Sequence, residues 1–365
     1  MLLIGEMKSL FFGIVFMACL VQGAGLKADE AQPFVLGADL SLLKFIEDHG
    51  VQYQDTGEPK DAMLIFKDHG CNYVRLRLFL NPNGKEGQVN SLPYTLALAK
   101  RVKAAGLRFL LDLHYSDGWA DPGHQIIPAA WKGQSHAKLV EQVSNYTHDT
   151  VAAFQQAGCA PDMVEVGNEI TNGFIWPDGG PLNTDAKWDD FTDLLKAGIR
   201  GVHAADASIK ILIHIDRGTK QQVSKSFFEH LTARGVPFDV IGLSFYPFWN
   251  GSLMQLKENM TFLANTYHKD IIVAETAFNW RYGDATKVSY PISPSGQKAY
   301  YVDLIKTIEA TPDGHGIGFF VWAPEWIEGE KWSGHGNGDW ENRAFFDDQG
   351  NALPALDAFR AEGAP

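Results

Sequence analysis

The chain has 365 residues, 45% of them hydrophobic and 21% charged, enough to bury a large core as one barrel of about 250 to 400 residues or as two smaller domains. A net charge of −13 argues against nucleic acid or an anionic membrane surface as partner and suits a neutral ligand. Ten tryptophans and 11 tyrosines are a generous supply of flat rings with polar edges, the groups that stack on sugars and hydrogen-bond their hydroxyls.

The chain opens on targeting signal rather than fold. Met7-Lys8 gives a positive start, and Leu10 to Val21 is apolar but too short for a comfortable membrane span. Residues 1–28 therefore read as a signal peptide, with Met7 the more typical start, and residues 29–365 as the mature catalytic part of a secreted or periplasmic protein. Phe16-Met17-Ala18-Cys19 loosely matches a lipoprotein box, Phe16 being the poor fit, so acylation at Cys19 is the alternative that would attach the chain to a membrane. The mature part keeps Cys71 and Cys159, which read either as a disulfide or as small residues packed in a core.

From there strand and helix alternate. Phe34 to Asp39 is a first strand, and Ser41 to His49 a helix with Ser41 as its cap. The helix Ala62 to His69, closed by Gly70, leads to the strand Tyr73 to Leu78; the helix Leu92 to Ala105, closed by Gly106, leads to the strand Arg108 to His114. Helix Ala137 to Ala157 precedes a strand ending at Glu169, and helix Trp188 to Ala205 precedes the strand Lys210 to Ile215. Helix Phe227 to Arg234, strand Val240 to Tyr246, helix Leu253 to Tyr267 and a strand ending at Glu275 follow. Helix Gln297 to Glu309 and strand Gly316 to Trp322 close the series. Eight such units, with no composition break and no Gly-x-Gly-x-x-Gly turn after the first strand, predict a single (β/α)8 TIM barrel rather than a doubly wound sheet.

A barrel of this kind carries its chemistry at the carboxyl ends of the strands. Those ends hold Arg75 and Arg77, Asp112, His114 and Tyr115, Asn168 and Glu169, His214 and Asp216, Tyr246 and Trp249, Glu275, and Trp322. Taken singly, Arg77, Asp112 and His214 read as structural ion-pair or core residues. Glu169 and Glu275 are different, because two carboxyl groups at a barrel mouth suit glycoside hydrolysis, one protonating the leaving oxygen and the other attacking or activating water.

Several longer stretches carry a resemblance. They are Gly37-Ala38-Asp39-Leu40-Ser41, Val74-Arg75-Leu76-Arg77 followed by Asn81-Pro82, Asp112-Leu113-His114-Tyr115-Ser116-Asp117-Gly118-Trp119-Ala120-Asp121-Pro122, Val166-Gly167-Asn168-Glu169-Ile170-Thr171-Asn172-Gly173, Gly242-Leu243-Ser244-Phe245-Tyr246-Pro247-Phe248-Trp249, Glu275-Thr276-Ala277, and Trp340 to Asp347. Together these resemble glycoside hydrolase family 53, the endo-β-1,4-galactanases, over essentially the whole mature chain. The resemblance implies that Glu169 is the acid/base and Glu275 the nucleophile of a retaining hydrolase, whose carboxyl groups stand roughly 5 Å apart. It implies Arg75 and Tyr246 as the groups that keep Glu275 ionised, and Asn168 as donor to the sugar 2-hydroxyl. Trp322 would floor the subsite of the cleaved sugar, with Trp119, Trp249 and Trp326 at neighbouring subsites and His114 in support.

Some bacterial members of that family hold calcium in a long loop after the eighth strand. Here the loop from Glu328 to Trp340 is short, and Asn337 and Asp339 alone do not make the six or more oxygens calcium wants, so no metal or cofactor is expected. The expected partner is the polysaccharide itself, β-1,4-galactan, met by a monomer. Another retaining β-glycanase, a mannanase or cellulase, is the second enzyme reading, opposed by the Asp112 to Pro122 stretch. A non-catalytic carbohydrate-binding barrel is the third, and both glutamates being present opposes it.

Overall fold

A computed structural model describes residues 2, 33–85, 87–328 and 340–360. Cys19, the rest of the expected signal segment apart from Leu2, and the loop positions Asn337 and Asp339 lie outside the described residues. Chain contacts divide at Pro33/Phe34, and everything below concerns the second unit.

Eight parallel strands close a barrel in chain order: β1 Val35–Asp39, β2 Tyr73–Leu78, β3 Arg108–Leu113, β4 Met163–Val166, β5 Lys210–Ile215, β6 Val240–Ser244, β7 Asp270–Thr276 and β8 Gly316–Trp322. β1 pairs with both β2 and β8, which leaves no open edge. The helices α1 Leu43–Asp48, α2 Ala62–Asp68, α3 Leu92–Ala104, α4 His136–Gln156, α5 Asp185–Ala205, α6 Gln221–Ala233, α7 Leu253–Tyr267 and α8 Pro294–Glu309 intervene between strands, so the expected (β/α)8 barrel is the fold. A small hairpin, Gln54–Asp55 with Glu58–Pro59, separates α1 from α2.

The interior is layered by the two-residue period of the strands. Val35, Tyr73, Leu110, Met163, Leu212, Val240, Ile272 and Phe320, one from each strand, form a separate buried apolar cluster. Two residues further along, the same faces carry Arg75, Asp112, Glu165 and His214, all essentially inaccessible to solvent. The barrel is thus apolar at one level and charged at the next. At the level between Val35 and Asp39 stands Gly37, where an added Cβ would lie 2.2 Å from the Phe320 ring, so the large floor residue dictates the small neighbour. The shell between barrel and helices is a second, larger core that includes both Cys71 and Cys159, free thiols among their neighbours.

Three local expectations are corrected. Ser41 does not cap α1, which begins after Leu42; its hydroxyl donates to Asp39 Oδ1 and accepts from the Arg77 backbone N–H at 2.9 Å. The fourth strand stops at Val166, three residues before Glu169, because Gly167 turns away at φ 90° and Glu169 itself takes φ 46°, a left-handed conformation rare for a side chain of this size. The sixth strand stops at Ser244, and Tyr246 precedes a single helical turn, Pro247–Asn250.

β7 adds a device that strand-end counting does not reveal. Its register against β6 steps from Leu243↔Val273 to Ser244↔Glu275, two residues against one. With Ile272 and Ala274 in the interior cluster, strict alternation would turn Glu275 outward. The bulge re-aims it into the mouth.

Candidate active site

The mouth of the barrel is built around Arg75. All five N–H groups of its guanidinium are used: Nε and Nη2 donate to the two oxygens of Glu165, each at 2.9 Å, and Nη2 also donates to Asn168 Oδ1 at 2.8 Å. Nη1 donates to Asp39 Oδ2 at 2.9 Å and to Glu275 Oε1 at 2.8 Å. Asp112 Oδ2 stands a further 2.9 Å from Nη2. Burial alone would weaken the cation, but Asp112, Glu165 and Glu275 outweigh that and hold the guanidinium above its ordinary range.

Glu275 is thereby pinned from two sides. Its Oε1 accepts from Arg75 and its Oε2 accepts from the Tyr246 hydroxyl at 2.9 Å. Burial, and then the charges of Glu275 and Glu169, raise the Tyr246 pKa, which keeps the phenol a donor. The second glutamate has a different setting. Glu169 Oε1 accepts from Ser244 Oγ at 2.6 Å, and desolvation followed by the charge of Glu275 pushes its pKa up to about 8. A carboxyl that stays protonated at neutral pH beside one whose oxygens are both hydrogen-bond acceptors is the division that acid/base chemistry at an acetal requires.

Both glutamates line one open cavity of about 350 Å³ with Arg75, Arg77, His114, Trp119, Ala120, Asp121, Asn168, Tyr246, Trp322 and Trp340. The residues foreseen at the strand ends are therefore largely brought together. His114 Nδ1 accepts from the Ala120 N–H at 3.1 Å, which leaves the ring proton on Nε2, 2.9 Å from Asp112 Oδ2. Asn168 turns its oxygen to Arg75 and gives one amide proton to the Ala120 carbonyl at 2.8 Å, so one proton remains for a ligand. The walls are aromatic: Trp322 lies 4.3 Å from Trp340 and 6.2 Å from Trp119 between ring centroids. The Arg77 guanidinium sits 4.6 Å over Trp119 and 5.2 Å over Trp322, stiffening both. Arg77, read singly as a structural residue, thus also lines the cleft.

Three expected or suspected positions fall elsewhere. Trp249 is 56% exposed outside the cavity lining, 5.9 Å from Trp340 on the rim. Trp326 is fully buried behind Trp322, with which it stacks at 5.9 Å, so it cannot touch a ligand and its subsite reading is withdrawn. Tyr115 points into the helix shell, its hydroxyl 2.8 Å from Thr147 Oγ1. Asp39, Glu165, Ser244 and Trp340 were not anticipated as parts of the site. Glu165 had a signal, since a lone acid inside the apolar strand Met163-Val164-Glu165-Val166 is out of place unless it is paired. Among the described residues no three His, Cys, Asp or Glu side chains converge as a metal site, and no helix is long and apolar enough to cross a membrane.

The profile of glycosyl hydrolase family 53 matches residues 35–359. The arabinogalactan endo-β-1,4-galactanase of Cellvibrio japonicus is 34% identical over 352 residues, covering 90% of this chain and 91% of the relative. That of Emericella nidulans is 38% identical, covering 80% and 85%. Among solved structures, the family 53 catalytic domain of Ignisphaera aggregans superposes with a TM-score of 0.84 at 37% identity, over 90% of this chain and 95% of that one. Xylanase barrels such as the catalytic core of xylanase A, at 15% identity and a TM-score of 0.59, share the fold alone. The profile match and these relatives, spanning the barrel from its first strand to its last helical turn, make the chain a member of glycosyl hydrolase family 53.

Proposed function

We propose that the chain is an arabinogalactan endo-β-1,4-galactanase that cleaves β-1,4-galactosidic bonds with retention of configuration, Glu275 acting as nucleophile and Glu169 as acid/base. The observation that carries the reading is the unequal treatment of the two glutamates in one tryptophan-walled cleft, Glu275 held by Arg75 and Tyr246 while burial and the charge of Glu275 favour the protonated form of Glu169. Relatives named arabinogalactan endo-β-1,4-galactanases supply the polymer, which points to the galactan side chains of pectin.

In the first step a Glu275 oxygen attacks the anomeric carbon while the Glu169 proton passes to the departing glycosidic oxygen. The C–O bond breaks and a galactosyl ester of Glu275 forms. Glu169, now a carboxylate, takes a proton from water, the oxygen of which attacks the anomeric carbon and releases Glu275. The remaining Asn168 amide proton is available to the 2-hydroxyl, a bond that strengthens as positive charge develops on the sugar. Trp322 and Trp119 floor the glycone side, with Trp340 beside them and Trp249 at the rim. His114 supports the wall behind Trp119, 6.4 Å away.

Incubating the pure protein with galactan, mannan and carboxymethylcellulose tests the substrate: galactan should be shortened and the others left intact, and mannan or cellulose cleavage instead would install the second enzyme reading. The roles are tested with an activated aryl galactobioside. Glu169→Ala should stall as the covalent ester and be rescued by azide to the β-galactosyl azide, whereas Glu275→Ala should give the α azide. We also propose export as a monomer by removal of residues 1–28, so that amino-terminal sequencing of extracellular protein finds a start between residues 20 and 34. A start at Met1 or Met7 would refute export, and an acylated Cys19 would replace free secretion by anchoring.

A further inference from the structure

Behind Glu169 runs a line of hydrogen bonds that the two-step scheme does not use. Ser244 Oγ, at the end of β6, donates to Glu169 Oε1 at 2.6 Å. His214 Nε2, on β5, lies 2.8 Å from the same Oγ, and His214 Nδ1 lies 2.7 Å from Glu165 Oε1 on β4. His214 and Glu165 are wholly inaccessible and Ser244 nearly so.

The direction of the line follows from counting protons. Glu165 is an anion: burial opposes its charge, but Arg75 and His214 outweigh that and hold its pKa down at about 2. His214 Nδ1 must therefore carry a proton to meet it. The single hydroxyl proton of Ser244 points at Glu169, so Oγ has only lone pairs to offer His214, and Nε2 must donate too. The ring is consequently an imidazolium. Burial disfavours that charge, while the acidic groups facing the ring, first Glu165 and then Glu275 and Glu169, outweigh it and raise its pKa to about 9; the Arg75 cation is separated from it by the Glu165 and Asn168 oxygens that both groups share.

We propose that His214 and Ser244, anchored by Glu165, are positioning residues that restrain the proton affinity of Glu169, so that one side chain serves as acid in the first step and as base in the second. This rests on the acid/base reading of Glu169. Because Ser244 occupies Oε1 as a donor, the acid proton is confined to Oε2. The Ser244 bond is charge-assisted only when Glu169 is a carboxylate, and it is stiffened then by the imidazolium behind it. Desolvation is the largest force keeping Glu169 protonated, and esterification of Glu275 removes only the second, leaving the smaller push of the Asp216 charge just past β5 in place. Without the line, Glu169 would regain a proton after the leaving group departs and would meet the incoming water as an acid.

The deciding variant is Ser244→Ala, nearly isosteric and leaving the His214–Glu165 pair intact. With an activated aryl galactobioside, whose cleavage needs no acid, the acidic limb of kcat should move to higher pH by about one unit, a roughly tenfold loss on its acid side. KM should fall in parallel as the ester accumulates, and the loss should vanish at alkaline pH. With galactan, the alkaline limb of kcat/KM should move upward as well. His214→Gln should reproduce these shifts, and the double variant should add little to either. A pH-independent fall in kcat, or limbs that do not move in Ser244→Ala, overturns the proposal. Glu169→Ala with azide is the separate control: absence of rescue there would remove the acid/base role itself, whatever Ser244→Ala shows.

Discussion

Glu275 and Glu169 share a cavity but are held by opposite means. Glu275 lies inside the sheet, turned inward by a bulge and tied to a guanidinium and a phenol. Glu169 lies beyond its strand, on a left-handed residue, with one hydroxyl as its partner and desolvation as the main influence on its proton. The contrast teaches how a barrel separates two identical side chains into two roles: one is governed by contacts, the other by what surrounds it.

Removing either carboxylate has the largest effect. Glu275→Gln should abolish hydrolysis of galactan, and Glu169→Gln should lower kcat at least roughly a hundredfold; both should unfold cooperatively, and near-wild-type activity in either would remove that residue from the chemistry. Next in size is the anchor of the Glu275 side. Arg75→Met would leave Asp39, Asp112, Glu165 and Glu275 without their common cation, so denaturant titration should show a loss of about 3–5 kcal/mol. A stability within about 1 kcal/mol of wild type would mean that the four acids are not held as described. Tyr246→Phe is a gentler change. It deletes one hydrogen bond to Glu275 and keeps the ring, so kcat should fall about tenfold to a hundredfold with stability little changed.

The smallest effect concerns stability on the Glu169 side. A carboxyl whose folded pKa is raised to about 8 binds its proton more tightly folded than unfolded, so its contribution is fully present below the unfolded value near 4.5 and is lost as pH rises through 8. Glu169→Gln escapes that loss. Thermal melts should find the variant more stable than wild type by on the order of 1 kcal/mol at pH 8 and by less at pH 5. Activity follows the same ionisation, since the acid must be protonated: kcat/KM should decline as pH passes about 8.

Much of this was legible in the residues because strands ending in polar groups announce a barrel mouth. Gly316 to Trp322 matches β8 residue for residue, and Arg75, Asn168, Glu169, Tyr246 and Glu275 do line one cavity. What was illegible depends on closure or on local backbone. Ser41 looks like a helix cap, yet its hydroxyl donates back to Asp39 and accepts from the Arg77 N–H, a neighbour that only the pairing of β1 with β2 supplies. Trp326 and Trp322 are equivalent as letters, and only the turn after β8 decides which faces the cleft and which the core. Glu165 stands out as the lone acid of its strand, but the partners that make it part of the site, Arg75 on β2 and His214 on β5, are brought to it only by barrel closure.

The five-fold engagement of Arg75 has a consequence for how the molecule could be divided. Asp39, Asp112 and Glu165, three of its four acidic partners, come from the first four strands, and only Glu275 comes from the last four. The Arg75 cluster is thus built mostly within the first half of the chain, while each glutamate needs the other half: Glu169 needs Ser244, and Glu275 needs Arg75. Two separately produced half-barrels would each be inert, and turnover would appear only when they dock in register. Hydrolysis would then serve as a direct readout of assembly, sensitive to a misfit of the kind that spectroscopy of helix content would pass over.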